Sequence, residues 1–388
     1  MSYSRSDSPS IFMIAGEASG DMHGSALVAE LKKRRPDIEI HGIGGEKMQE
    51  AGMSMLFPNS DLAVVGIVEI FSHIKPIIHA FRKTVEWLKK QRPSLLVLID
   101  YPEFNMLVAS KAKQFNIPVM YFISPQIWAW RQGRVKKIKK IVDRMAVILP
   151  FEKEFYKKHG LDVEFVGHPL VDITRPLTDR RVFRKKFGIP TKKRMISILP
   201  GSRGGEVKRL LPCISDSIEL IGNRTSGTHF IIPIAPGLCE RHKNAIHKMA
   251  HRLKKKNTAI TIVEGMTLDA INASDIAIAA SGTVTLEAAL LGTPSVVIYK
   301  VSPLSYCLGR HLIKVEYASI INLVADKMIL PELMQSDATP ERISETVCEI
   351  LDDKTRYQKI KREMEEAVKQ LGPPGAVKRV ADMIEEMI

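Results

Sequence analysis

The side chains best suited to chemistry in this chain stand where short apolar runs end. Leu95 to Ile99 is such a run, and it closes on Asp100, followed by Tyr101-Pro102-Glu103-Phe104-Asn105. Open parallel sheets bind ligands beyond the carboxyl ends of their strands, so Asp100 stands where a general base would. On these residues alone, an N-cap for a helix beginning near Asn105 is an equal alternative. An earlier run, Ile11 to Ala15, opens into Gly16-Glu17-Ala18-Ser19-Gly20-Asp21-Met22-His23-Gly24. This turn is glycine-rich but is neither GxGxxG nor a Walker loop, because it lacks the lysine and the spacing. Glu17 and Asp21 put carboxylates at a helix N-terminus, where amide dipoles would otherwise hold phosphate. The turn suits sugar hydroxyls or self-capping.

Ile198-Leu199-Pro200-Gly201-Ser202-Arg203-Gly204-Gly205-Glu206 is again a run entering a glycine-rich loop, now with an arginine at the apex. A guanidinium beside free amides is a phosphate clamp that can meet the charge of a departing diphosphate; a solvated arginine is the plainer reading. Ala280-Ser281-Gly282-Thr283 ends another run and opens a helix bearing Glu287, one turn on from Thr283. Amides and the helix dipole there suit an anion, and the carboxylate can accept from a ribose diol, with capping by Ser281 or Thr283 as the alternative. No DxD pair ends a strand, and Asp352-Asp353 lies in a charged helical stretch, so no metal ligands are evident for a diphosphate. No GxSxG elbow exists, which removes α/β-hydrolase chemistry.

Parallel sheets are needed to position these turns. Ile11 to Ala15, Ile38 to Ile43, Leu95 to Ile99, Val119 to Ile123, Met145 to Leu149 and Val163 to Val166 read as strands buried on both faces, with helical patterning at Met22 to Lys33 and Asn105 to Gln114. After a charged, proline-broken stretch with a short helix near Arg180 to Phe187, a second series follows. Its strands are Met195 to Leu199, His229 to Ile234, Ala259 to Val263, Asp275 to Ala280 and Ser295 to Tyr299. The expectation is an α/β protein of two Rossmann-like, doubly wound domains: 9–170, a connection over 171–193, and 194–355. A helical tail over 356–388, broken near Gly372 to Gly375, is of the kind that crosses back to the first domain.

Of 388 residues, 45% are hydrophobic and 26% charged, ample for a packed core. Lys and Arg number 57 against 43 Asp and Glu, a formal charge of +14 that favours a polyanionic partner: nucleic acid, an anionic membrane or a phosphorylated substrate. Cys213, Cys239, Cys307 and Cys348 are scattered without metal-ligand spacing, which fits a reducing cytoplasm. The polar start and the short run behind it do not make a signal peptide, and no stretch reaches the ~20 apolar residues of a membrane-spanning helix. Between Arg131 and Arg144, Val135, Ile138, Ile141 and Val142 fall at helical spacing. Arg131, Arg134, Lys136, Lys137, Lys139 and Lys140 take the other positions, behind Ile127-Trp128-Ala129-Trp130. A basic amphipathic helix with aromatic residues at its entrance fits an anionic membrane surface, and a solvated face is the alternative. Val64 to Phe81 is a second apolar candidate.

Taken in order, Ala15 to Asp21, Asp100 to Asn105, Ser124-Pro125-Gln126-Ile127-Trp128-Ala129-Trp130-Arg131, Leu199 to Arg203 and Ala280 to Thr283 resemble lipid-A-disaccharide synthases, with the likeness spanning Ile11 to about Gln335. The resemblance implies a GT-B architecture, two lobes facing a cleft. It implies an inverting transfer from UDP-2,3-diacylglucosamine to 2,3-diacylglucosamine 1-phosphate, without metal or cofactor. By resemblance Asp100 is the base for the acceptor's 6-hydroxyl, Glu17 shares its cleft, and Arg203 with Ser281, Gly282, Thr283 and Glu287 holds UDP. Asn322, Glu332 and Gln335 match a further cleft motif, and Ser19, Asp21, Asn105, Gly201 and Ser202 complete the substrate-binding set. The implied partners are the two acylated sugars and an anionic membrane at the inner face of the inner membrane, and a homodimer is left open. Tyr101 and Glu103 depart from the commonest family form, which bears on the acceptor side. A UDP-N-acetylglucosamine epimerase is the nearest alternative. A nucleic-acid-binding role is disfavoured because the basic residues are not interleaved with a stacking platform.

Overall fold

The computed structural model describes residues 9–59, 67–225, 227–302 and 315–388. They form two compact units, 1–172 with 371–388, and 173–370. Each is built on one parallel sheet. In the first unit the strands are β1 (Ser10–Ala15), β2 (Glu39–Gly44), β3 (Ser54–Pro58), β4 (Leu95–Ile99), β5 (Val119–Phe122), β6 (Arg144–Val147) and β7 (Glu164–Phe165), in the order β3-β2-β1-β4-β5-β6-β7. In the second they are β8 (Met195–Leu199), β9 (His229–Ile234), β10 (Ala259–Glu264), β11 (Ile276–Ala280), β12 (Ser295–Tyr299) and β13 (Glu332–Met334), in the order β10-β9-β8-β11-β12-β13.

Both orders reverse direction once, between β1 and β4 and between β8 and β11. At such a switch point the following loops diverge and leave a crevice at the carboxyl edge. The four turns singled out by residue chemistry follow these four strands. β1, β4, β8 and β11 are almost wholly buried, because helices cover both sheet faces, and this is why they read as unbroken apolar runs. Gly42 belongs to this packing, since a Cβ there would lie 1.9 Å from the Met13 carbonyl oxygen of the neighbouring strand.

The sequence pattern does not show β3 and β13. Both are edge strands, half-exposed, and so lack a continuous apolar signature. The basic helix is shorter than expected: Gln132–Arg134 is a 3-10 turn, Val135–Ile141 is helical, and Arg144 begins β6, where it pairs with Glu164 and Glu386. From Ile173 on, the charged stretch packs into the second unit instead of running as a connection. Arg184, 1% exposed, donates to the carbonyls of Ala273, Thr191 and Lys193 and to Asp275.

The last helix, Ala376–Glu385, belongs to the first unit and packs on the helix Ala18–Arg34, with Arg34 bonded to Asp382 at 2.6 Å and Glu385 at 3.0 Å. Gly372 and Gly375, both left-handed, separate it from the helix Lys354–Lys369. Of the segment Val64 to Phe81, residues 64–66 lie outside the described residues, as does Cys307; from Ile67 the chain is helical to Gln91. Cys213, Cys239 and Cys348 are free thiols.

Candidate active site

At the first switch point the backbone after β4 is strained. Asp100 and Tyr101 are consecutive left-handed residues, φ 48° and 47°, a conformation costing non-glycine residues about 1 kcal/mol or more each. Neighbours hold it in place. The Asp100 carbonyl accepts from Tyr121 Oη at 2.6 Å and Asn105 Nδ2 at 2.7 Å, while its amide donates to Phe122 O at 3.3 Å. Burial and the nearby Asp100 charge hold the Tyr121 hydroxyl far above its ordinary pKa, so it remains a donor. The helix behind the turn begins at Pro102, not near Asn105, and its N-cap is Tyr101. Asp100 therefore stands one residue before the N-cap position.

Two polar residues of this lobe have internal partners. Asn105 is fully buried and also bonds Ile99 O at 3.3 Å, so it anchors the strained turn. Asp21 is bound to the backbone of a neighbouring loop. It is buried, and it accepts from the amides of Gly45 (2.7 Å), Lys47 (3.3 Å) and Met48 (3.1 Å), fastening the loop after β2 to the one after β1. Glu17 is the N-cap residue of Ala18–Arg34 without a side-chain capping bond; it and Ser19 are partly exposed. The Tyr101 ring joins the two turns: a Cβ on Gly16 would lie 2.2 Å from its Cγ. Burial, and secondarily Glu17, raises the Tyr101 pKa.

Glu152, which the sequence reading missed, organises the next loop. It is 2% exposed and accepts from Ser124 Oγ (2.6 Å), Trp128 Nε1 (3.1 Å) and the amides of Ile148 and Leu149. Burial raises its pKa and these donors oppose the rise. Pro150 with Glu152 two residues later was the available signal, a proline-led helix start with an acid in its first turn.

In the second unit Arg203 is the N-cap residue of the helix Gly204–Arg224, partly exposed beside the first amides of a 21-residue helix. Buried Glu206 accepts from the Arg203 amide at 3.4 Å and its guanidinium at 3.5 Å. Gly201 is left-handed, φ 110°, and a side chain there would strike the Glu206 carboxylate at 2.5 Å; Ser202 is exposed. His242 was also missed. Its ring lies over Gly204, where a Cβ would be 2.1 Å from Cε1, and its Nδ1 is 3.0 Å from Cys239 Sγ.

After β11, Gly282 is the N-cap residue of the helix Thr283–Leu290, which carries a partly exposed Glu287. Ser281 Oγ donates to Ala318 O at 3.0 Å. Asn322 and Glu332 are tied to each other and to the surrounding backbone. Asn322 is fully buried with both ends of its amide engaged, to Leu330 O, Glu332, and the amides of Ile329 and Leu330. Glu332 accepts from the amides of Ala318 and Ser319 and from Ser319 Oγ, directly before the helix Ile320–Ala325. Gln335, left-handed at φ 51° and partly exposed, follows β13 at the carboxyl edge. Among the described residues no three of His, Cys, Asp and Glu converge as metal ligands.

A family model described as Lipid-A-disaccharide synthetase matches residues 11–387. The chain belongs to this family. It is 43% identical over 378 residues to the lipid-A-disaccharide synthase of Geobacter sulfurreducens, covering 97% of each chain. Against that of Syntrophus aciditrophicus it is 43% identical over 377 residues, covering 96% of each. Members are glycosyltransferases of lipid A biosynthesis, and this chain is one. The structure of the UDP-GlcNAc 2-epimerase from Neisseria meningitidis bound to UDP-GlcNAc matches with a TM-score of 0.66, covering 97% of this chain and 100% of that one. At 12% identity this likeness shows the shared two-domain GT-B fold alone, and the epimerase alternative has no other support.

Proposed function

We propose that this glycosyltransferase joins UDP-2,3-diacylglucosamine to 2,3-diacylglucosamine 1-phosphate, releasing UDP and forming a β(1→6)-linked disaccharide 1-phosphate with inversion. The observation that carries the assignment of roles is the Asp100 turn: a strained aspartate at the carboxyl end of a switch-point strand, pinned through its own peptide. Strain of this kind persists where the surrounding structure enforces it for function. The acceptor's 6-hydroxyl oxygen attacks the donor's anomeric carbon, its proton passes to the Asp100 carboxylate, and the bond from that carbon to the diphosphate oxygen breaks.

The departing diphosphate gains charge as that bond breaks. Arg203 and the N-terminus of Gly204–Arg224 are suited to meet it, because a guanidinium and fixed amide dipoles need no reorganisation during the step. The amides of Gly282 and Thr283 at the start of the helix Thr283–Leu290 are suited to add donors, and Glu287 is placed one turn along for the ribose diol. No step in this account uses a metal. Both sugars are acylated, while no helix among the described residues is long and apolar enough to cross a membrane. The enzyme therefore binds peripherally to the anionic inner face of the inner membrane, with Lys136, Lys137, Lys139 and Lys140 meeting headgroups.

The test is purified protein with both acylated sugars and the product read by mass. A disaccharide phosphate formed only when both are present, with one UDP per product and insensitive to chelator, is expected. UDP released equally without the acylated acceptor overturns the reading.

A further inference from the structure

Two arginines of the first unit converge on one carboxylate next to the Asp100 turn. Arg131 Nη1 lies 3.0 Å from Glu103 Oε1, and Arg134 Nη2 lies 2.8 Å from Glu103 Oε2. Glu103 stands in the first turn of the helix that starts at Pro102, three residues from Asp100. It is 64% exposed, so these ion pairs contribute little to stability. The cluster nevertheless has defined geometry. Arg131 is stacked over the Trp130 ring, 4.1 Å from its centroid, and Arg134 is the less exposed of the two guanidiniums. Its net charge is +1, with two arginine forks converging on a pair of oxygens.

We propose that Arg131 and Arg134 form the binding site for the 1-phosphate of the acceptor, and that Glu103 occupies this site as an internal anion until the phosphate displaces it. The proposal rests on the acceptor assigned above. A phosphomonoester carries −1.5 to −2 charge and three acceptor oxygens against the carboxylate's single charge and two oxygens, so it engages both forks and keeps one oxygen for water. Placement agrees with the acceptor's shape. Its reacting 6-hydroxyl and its 1-phosphate are carried by the two ends of the C5–O–C1 segment of one sugar ring, and Glu103 follows Asp100 by three residues, in the first turn of the helix that the strained turn leads into. Displacing Glu103 has a cost, so this residue weakens phosphate binding in the parent protein.

The experiment compares the acceptor with its dephosphorylated form, 2,3-diacylglucosamine, both in neutral detergent micelles, for the parent, Arg131→Ala, Arg134→Ala and Glu103→Gln. The parent is expected to have at least a tenfold lower KM for the phosphorylated acceptor. Each arginine variant should lose most of that ratio with kcat nearly kept, and Glu103→Gln should lower KM for the phosphorylated acceptor only. KM for the UDP-sugar should not move in any of them. An undiminished ratio in both arginine variants overturns the proposal, while absence of disaccharide from the parent overturns the functional reading beneath it. A phosphoryl group is also present in lipid headgroups, so sedimentation with phosphatidylglycerol vesicles is the second arm. Loss of vesicle binding with the parent's KM ratio intact assigns the arginines to headgroups and likewise overturns the proposal. Circular dichroism melting checks that each variant is folded.

Discussion

Gly16→Ala adds one methyl group where the turn after β1 meets the Tyr101 ring. The added Cβ would lie 2.2, 2.4 and 2.6 Å from Tyr101 Cγ, Cδ1 and Cδ2, whereas ordinary contact begins at 3.4 Å, so the ring must retreat by at least 3.4 − 2.2 = 1.2 Å. These atoms are the root of the ring and not its tip, so a change of rotamer cannot clear them without moving the backbone. That backbone is the left-handed Asp100–Tyr101 pair, held through the Asp100 carbonyl by Tyr121 and Asn105. Overpacking of this kind costs about 1–3 kcal/mol of stability, and displacing a reacting group by about 1 Å costs roughly 10² in rate. Gly16→Ala should therefore lower kcat about a hundredfold while the affinity for UDP, measured by calorimetry, stays within threefold of the parent. Tyr101→Ala supplies the control, since without the ring the methyl group meets no clash. In that background Gly16→Ala should cost less than tenfold. If Gly16→Ala turns over within threefold of the parent, or costs as much with the ring gone, the link from Gly16 through Tyr101 to Asp100 is refuted.

Asp100→Asn keeps the side chain's shape and removes the base, so turnover should fall by roughly 10² or more with UDP affinity unchanged; near-normal turnover would exclude Asp100 as base. Lys136, Lys137, Lys139 and Lys140 changed together to Glu should reduce salt-sensitive sedimentation with anionic vesicles and leave UDP affinity intact, and undiminished binding assigns the lysines to a solvated face. His23 and His168 are buried at a ring separation of 6.4 Å, and burial lowers their pKa values to about 4 and about 3, with His23 further lowering His168. Below pH 6.5 the unfolded chain takes up these protons and the folded chain does not, so each imidazole removes up to about 1.4 kcal/mol of stability per pH unit on acidification. That loss should begin near pH 6.5 and level off below about pH 4 to 3; urea midpoints followed across this range should show a shallower slope in His23→Gln, and an unchanged slope would count against buried neutral imidazoles.

What the sequence determined by itself is the set of buried strands, without the edge strands β3 and β13, and the turns that end them. Leu95 to Ile99 and Met195 to Leu199 are legible because a strand covered on both faces has to be apolar at every position, a property local to five residues. Asp100, Arg203 and the Ser281 to Thr283 turn were found for the same reason, since polar groups and glycines directly behind such a run mark its carboxyl end. Tertiary structure alone decided what each polar side chain does there. Asp21, Asn105, Asn322 and Glu332 are each tied to backbone groups of the protein itself, partners that no local window shows. The Arg131 and Arg134 pairing with Glu103 spans about thirty residues and is invisible in any local window. Burial leaves its imprint on neighbouring residues in the sequence. A hydrogen bond joins whichever residues the order and register of the strands bring together, and that order is a property of the whole sheet.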